Sequence, residues 1–147
     1  MKFSEARPGR VFVLRLEQGE VIQEVVERFA AEQGVRCAAL LMVGGADRGS
    51  KLVAGPRDGR AVPVVPIEHV LADVHELAAV GTLFPGPDGR PSLHAHAAAG
   101  REGSAAAGCV RGGVVVWTIL EVVLFELLDC TAWRERDAST GFDLLVP

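Results

Sequence analysis

The sequence is poor in the features that identify many protein classes. It has no excess of basic residues, since 15 Lys and Arg stand against 19 Asp and Glu and the formal net charge is −4. Proteins that hold nucleic acid by its phosphates carry a basic stripe, so unaided phosphate binding is disfavoured. No apolar run reaches the ~18 residues of a membrane span, and the first residues lack the apolar core of a secretory signal. These features predict a cytoplasmic protein without a membrane partner.

Cysteine is scarce as well. Cys37, Cys109 and Cys130 are odd in number, and no two of them are spaced as CxxC. Such a set fits free thiols in a reducing compartment better than a disulfide framework. The chain has 147 residues, of which 49% are hydrophobic, and that is enough for one domain with a core of its own. We therefore predict a single domain over residues 1–147.

The periodicity of apolar residues predicts many strands and one helix. Apolar residues recur at helical spacing over residues 21–30, acidic residues take the opposite side, and Gly34 is placed to end the helix. Residues 114–128 form the longest apolar segment, which predicts a central strand covered on both faces and interrupted by a break. Residues 62–70 contain two prolines, which predict an edge strand or an irregular segment. The class is therefore α+β: a single sheet, mainly antiparallel or mixed, with one main amphipathic helix packed on it.

The most specific chemistry lies in Leu93-His94-Ala95-His96, taken together with Cys109. Histidines at i and i+2 point to the same side of a strand, and imidazole and thiolate are ligands that zinc prefers. The small residues between them lead to Glu102-Gly103, which is typical of a two-residue hairpin turn. In that register His96 lies directly opposite Cys109, with Cβ atoms roughly 4.5–5.5 Å apart. A three-residue loop would instead place Ala95 there, unless a bulge restored the register.

Six segments, in order along the chain, form a recognisable set. They are the helix, Gly44-Gly45-Ala46, Gly81-Thr82, Pro91-Ser92-Leu93-His94-Ala95-His96, Gly108-Cys109-Val110 and Glu121-Val122-Val123-Leu124. Together they resemble the PPC domain, the plant-and-prokaryote-conserved domain, over nearly the whole chain. The His-x-His hairpin followed by the Glu-Val-Val-Leu strand is the most specific part. The resemblance implies a sheet flanked by helices and a homotrimer, in the stand-alone form typical of prokaryotes; the plant proteins add an AT-hook that holds DNA.

The resemblance also implies a metal site. Many members carry a third histidine in a Gly-Gly-His motif on the strand after His-x-His, and a metal ion can sit among the three histidines. Ala107-Gly108-Cys109 stands at that place here, so cysteine replaces histidine. Because thiolate also ligates zinc, we predict that His94, His96 and Cys109 hold zinc or another divalent transition metal. The alternative is that the metal is gone, with two strand histidines bonded to backbone or water and Cys109 in the core.

Three further residues, His75, Glu76 and Glu121, are candidates for proton transfer. Glu76 could orient a ligating histidine or act as a base; a solvent-facing His75-Glu76 pair is the simpler interpretation. Glu121 interrupts an apolar segment, where a carboxylate is costly to bury without a partner. It could face the metal cavity, water or, as the favoured prediction, a trimer contact.

Three functions follow from these predictions. The first is a trimeric metal-binding domain with an open position for a small ligand, where a zinc-bound water could act as nucleophile. The second is a DNA-associated regulator. Asp88-Gly89-Arg90-Pro91 lacks the first arginine of an AT-hook core, so DNA binding would need cations gathered across subunits. Those cations are Arg7, Arg10, Arg48, Lys51, Arg57 and Arg60. The third is a homo-oligomeric assembly module without chemistry.

Overall fold

The computed structural model describes residues 1–61 and 63–147. It contains strands, one α-helix, α1 (Ile22–Gln33), and a short 3₁₀ turn, Val110–Gly112. The strands are β1 (Arg7–Glu17), β2 (Ala38–Ala46), β3 (Lys51–Pro56), β4 (Pro66–Val70), β5 (His75–Pro85), β6 (Pro91–Arg101), β7 (Ser104–Cys109), β8 (Val116–Leu128), β9 (Trp133–Arg136) and β10 (Asp143–Val146).

One eight-stranded sheet contains most of these strands, in the order β1-β8-β2-β5-β6-β7-β3-β4. Every neighbouring pair is antiparallel, and β9 and β10 form a separate hairpin. The predicted α+β class is therefore confirmed. The edge position predicted for residues 62–70 is occupied by β4, while Val62 lies outside the described residues.

The helix α1 covers one face of the sheet. Ile22, Val26 and Ala30 are fully buried at its contact surface, as the helical spacing predicts. Gly34 ends the helix with a φ of 65°, in the left-handed region that glycine adopts without a steric penalty. The start of β6 is tied to this helix, because the Leu93 backbone N–H donates to Glu27 Oε1 at 2.8 Å. No helix within the described residues is long and apolar enough to cross a membrane.

The opposite face of the sheet carries large apolar side chains that remain accessible in a single chain. We call this surface the outer face. Its large exposed apolar residues are Val11, Val13, Leu41, Val43, Val80, Trp117, Ile119 and Phe125. The prediction that residues 114–128 are covered on both faces is wrong for the single chain. β8 lies between β1 and β2, but α1 shields only the side chains that alternate with those of the outer face.

The break predicted in residues 114–128 lies opposite Gly44-Gly45 of β2. The pairing of β2 with β8 shifts register between Gly44 and Gly45, and Thr118 adopts a positive φ of 62° on the facing strand. A Cβ on Gly44 would overlap the carbonyl oxygen of Ile119. Glycine is therefore needed here because the two backbones approach each other too closely for any side chain.

Candidate metal centre

The hairpin of β6 and β7 forms in the predicted register. Arg101 pairs with Ser104, which leaves Glu102-Gly103 as a two-residue turn. Both turn residues have positive φ, 52° and 79°, as a type I′ turn requires. His96 is consequently the cross-strand partner of Cys109, and the predicted register is confirmed.

The three predicted ligands lie together at the open end of this hairpin. No two of the donor atoms of His94, His96 and Cys109 are more than 4.8 Å apart. The two Nε2 atoms are 3.2 Å apart. Two imidazole nitrogens on one tetrahedral zinc lie roughly 3.3 Å apart, given Zn–N bonds of about 2.0–2.1 Å. The separation of the histidines and the chemistry of a His₂Cys donor set therefore both fit a zinc-type ion.

The electrostatic environment favours neutral imidazole at His94. Partial burial is the main cause of a lowered pKa at His94, and the positive charges of Arg134, His96 and Arg111 add to it. Neutral imidazole is the form that ligates metals, because the ring nitrogen must be free of its proton. Cys109 is only 5% exposed, whereas both histidines are open to solvent. The donors therefore point from the sheet into an accessible space.

That space is a pocket of about 640 Å³ between the hairpin and the C-terminal strands. The two histidines and Cys109 line one part of it, and Arg111, Arg134 and Arg136 line another. The arginines were not predicted as site residues. Arg134 and Arg136 lie in a polar segment without a motif, and only the docking of the β9–β10 hairpin brings them beside β6.

The predicted proton-transfer residues do not join this cluster within one chain. Glu121 is exposed on the outer face beside Arg15 and Val43, three strands away from β6, or roughly 14 Å at the usual strand spacing. Glu76 pairs with Gly100 near the other end of β6. Along β5 it lies four residues, or roughly 13 Å, from Val80, which is the partner of His96. His75 Nδ1 lies 2.8 Å from the carbonyl oxygen of Asp73 instead.

The described cysteines form no disulfide, which agrees with the free thiols expected from their spacing. Cys37 is not one of the proposed metal ligands. It precedes β2 and lies close to Cys130, which follows β8. Burial and the neighbouring Cys130 thiol raise the pKa of Cys37 to about 12. This thiol therefore stays protonated at neutral pH, and the cytoplasmic setting remains a prediction.

The chain belongs to the Plants and Prokaryotes Conserved (PCC) domain family, because the family model matches residues 3–128. The match spans the sheet from before β1 to the end of β8, including both histidines and Cys109.

Solved structures share the whole fold. A metal-containing protein from Archaeoglobus fulgidus is 23% identical, with full coverage of both chains and a TM-score of 0.85. A plant- and prokaryote-conserved protein from Pyrococcus horikoshii is 22% identical, with 100% of this chain and 98% of that chain covered and a TM-score of 0.85. A candidate DNA-binding protein from Ralstonia eutropha is 19% identical over 92% of this chain and 90% of its own, with a TM-score of 0.70.

The curated relative is longer than this chain. The bifunctional protein GlmU of Synechococcus sp. strain JA-3-3Ab is 29% identical over 136 residues, which make up 90% of this chain and 20% of that protein. The chain thus spans about a fifth of the length of the curated relative that it matches.

Proposed function

We propose that this chain is a homotrimeric, metal-binding domain in which His94, His96 and Cys109 hold zinc or another divalent transition metal. The observation that carries the proposal is the convergence of the three donor atoms, none more than 4.8 Å from another. Three protein ligands with an exchangeable fourth position is the arrangement of catalytic rather than structural zinc. The site is therefore proposed to bind a small ligand at the metal.

Each protein group has a definable part in this site. A bound zinc ion would supply a Lewis acid with one open position. The turn at Glu102-Gly103 sets the register that holds Cys109 opposite His96. His94 and His96 project from the same face of β6, and their rings meet edge to face with centroids 5.0 Å apart. The roles of Glu121, Glu76 and His75 as proton acceptors have no support from their positions in one chain.

Elemental analysis of protein purified without chelator tests the metal proposal. We expect about one metal ion per chain in the wild type and a loss of at least tenfold in the His94→Ala/His96→Ala double variant, because removing two ligands leaves one thiolate. His69→Ala is the matched control, since His69 is exposed on the edge strand β4. A wild type without stoichiometric metal, or a double variant with an unchanged metal content, would contradict the proposal.

Cobalt substitution separates the contribution of the thiolate from that of the histidines. We expect a thiolate-to-cobalt charge-transfer band in the wild type and its loss in Cys109→Ser, because only a ligating sulfur gives that transition. Cys109→His should retain the metal without the band. A metal-loaded wild type that lacks the band would show that Cys109 is not a ligand.

The homotrimer is proposed from the outer face. Successive cross-strand partners Val13, Val123, Leu41 and Val80 form an apolar row that reaches His96. A contiguous apolar surface of this kind on a soluble domain marks an interaction site. We assign this surface to further copies of the same chain, as the PPC resemblance implies. His94, His96 and Cys109 would then lie at the border of the subunit contact.

DNA binding has less support as a second function. The Ralstonia eutropha relative is described as a candidate DNA-binding protein. In this chain, however, Arg7 pairs with Asp129, Arg10 with Glu126 and Lys51 with Glu68. Half of the six cations proposed for DNA contact thus already have an acidic partner within this chain. A gel-shift series at low salt with no retention at micromolar protein would exclude useful affinity, and retention that falls steeply with salt would support it.

A further inference from the structure

The pocket beside the metal candidates has an unbalanced positive charge. Among the described residues that line it, three are arginines and one, Asp143, is acidic. Asp143 is engaged by Arg136, whose Nη1 lies 3.3 Å from its carboxylate oxygen. Neither Arg111 nor Arg134 forms a salt bridge within the part of the chain that the structure describes. Two guanidinium groups therefore face the pocket without a paired carboxylate.

Arg134 is the more unusual of the two. It is only 6% exposed, although arginine is seldom buried without a partner. Its Nη2 donates to Thr82 Oγ1 at 3.2 Å, and its guanidinium lies over the Phe84 ring at 5.7 Å from the centroid. Its Nε has no hydrogen-bond partner among the described residues. A buried cation without a paired carboxylate is costly, and an anion bound in the pocket would offset its charge.

Arg111 is the second unpaired cation that lines the pocket. It follows Cys109 by two residues in the 3₁₀ turn, and its guanidinium lies over the Phe142 ring at 5.5 Å. Stacking on an aromatic ring orients the planar guanidinium while leaving its N–H groups free to donate. Phe142 and Leu144 add apolar surface to the same pocket. The pocket thus combines fixed cationic donors with an apolar wall, in a volume typical of small-molecule sites.

We propose that this pocket binds a small organic oxyanion, a carboxylate or a phosphate ester, held by Arg134 and Arg111 with its organic part against Phe142 and Leu144. The guanidinium fork matches both oxyanions, because each presents two oxygens to parallel N–H donors. The inference rests on the proposed function in that it names the ligand class for the open metal position. The contribution of the arginines is nevertheless measurable without metal.

The test is calorimetric titration of metal-free protein with inorganic phosphate and, separately, with acetate, at constant ionic strength set by chloride. We expect saturable binding of at least one of the two anions to the wild type. Arg134→Gln should weaken it about tenfold or more, and Arg111→Gln several-fold, because each removes charge-assisted donors. Arg48→Gln is the matched control, since Arg48 is exposed and does not line the pocket. The preferred anion distinguishes a phosphate ligand from a carboxylate ligand.

Arg111→Gln keeps the test decisive if Arg134→Gln does not fold, because Arg111 is exposed. No binding of either anion, or binding that both arginine variants retain, would overturn the inference. Zinc titration of the same proteins separates the two proposals. Zinc binding without anion binding would contradict the proposed oxyanion site and support the metal site. Anion binding that depends on the arginines, without stoichiometric zinc, would support the oxyanion site and contradict the metal site.

Discussion

At the scale of single residues, Glu126 shows how a carboxylate can be kept on the covered face of the sheet. It is 6% exposed and accepts hydrogen bonds from Nε and Nη2 of Arg10, both at 2.7 Å, and from the Arg10 backbone N–H at 3.1 Å. These contacts lower the pKa of Glu126 to about 2, with the side-chain bond to Arg10 as the largest cause. Arg10 also donates to the carbonyl oxygen of Gln33, near the end of α1.

Glu126→Gln should therefore destabilise the protein in a pH-dependent manner. The folded-state pKa is below the ordinary value of 4.5, so the stabilisation is fully present above that value and is lost as the pH falls towards 2. We expect a loss of about 1.5–3 kcal/mol in the free energy of unfolding at neutral pH, typical of hydrogen bonds to a charged group.

Urea denaturation of the wild type and Glu126→Gln at a series of pH values measures this effect. The difference between the two proteins should shrink between pH 4.5 and pH 2. Glu5→Gln is the control, because Glu5 is exposed ahead of β1 and forms no salt bridge among the described residues. A difference that stays constant with pH would show that Glu126 contributes by packing rather than by its charge.

Some residues of the site could be predicted from the sequence, and others could not. His94, His96 and Cys109 were predictable because they are joined by one hairpin, whose turn chemistry at Glu102-Gly103 sets the register locally. Arg134 was not predictable, because its position depends on how the β9–β10 hairpin packs against Thr82 and Phe84 of β5. Such packing is a tertiary property that residue spacing along the chain does not carry.

At the scale of elements, periodicity and turn chemistry accounted for most of the fold. The helix, its end at Gly34 and the edge position of β4 all follow from local patterns. The covering of β8 did not, because β-branched residues on both sides of a strand are compatible with burial inside one chain or between chains. The long apolar segment therefore predicted two covered faces, of which the single chain provides one.

Gly45 tests the backbone contact between β2 and β8. A Cβ on Gly45 would overlap the carbonyl oxygen of Trp117 and lie 2.8 Å from Cε3 of its ring. The backbone atom cannot move aside cheaply, so we expect Gly45→Ala to lower the free energy of unfolding by about 1–3 kcal/mol, as overpacking does. The denaturation midpoint in urea, compared with that of the wild type, is the measurement.

Gly55→Ala is the matched control for this prediction. A Cβ on Gly55, also in a strand of the large sheet, would meet nothing within 4 Å. The substitution should leave stability unchanged or raise it slightly, because alanine loses less backbone entropy on folding. Equal effects of the two substitutions would argue that the β2–β8 contact is looser than the structure indicates.

At the scale of the whole molecule, the chain divides its apolar residues between a core under α1 and the outer face. Val13 is 80% exposed, Val80 62% and Leu41 52%, which is a large apolar surface for a domain of this size. The outer face adjoins the strand that carries His94 and His96, so covering this face would also enclose one side of the proposed metal ligands. Assembly and ligand binding would then be coupled through β5 and β6.

Leu41→Glu tests this arrangement at the centre of the outer face. The wild type should behave in light scattering as a particle three times the chain mass of 15.5 kDa. Burying three unpaired carboxylates among Val123, Val80 and their symmetry copies is costly, so the variant should dissociate to a single chain with its secondary structure retained.

Val65→Glu is the control, because Val65 is 53% exposed but lies outside the sheet. A wild type that is a single chain, or a Leu41→Glu variant of unchanged mass, would contradict trimer formation through this face. Metal content measured on the same samples would then show whether His94, His96 and Cys109 need the neighbouring subunit to hold the ion.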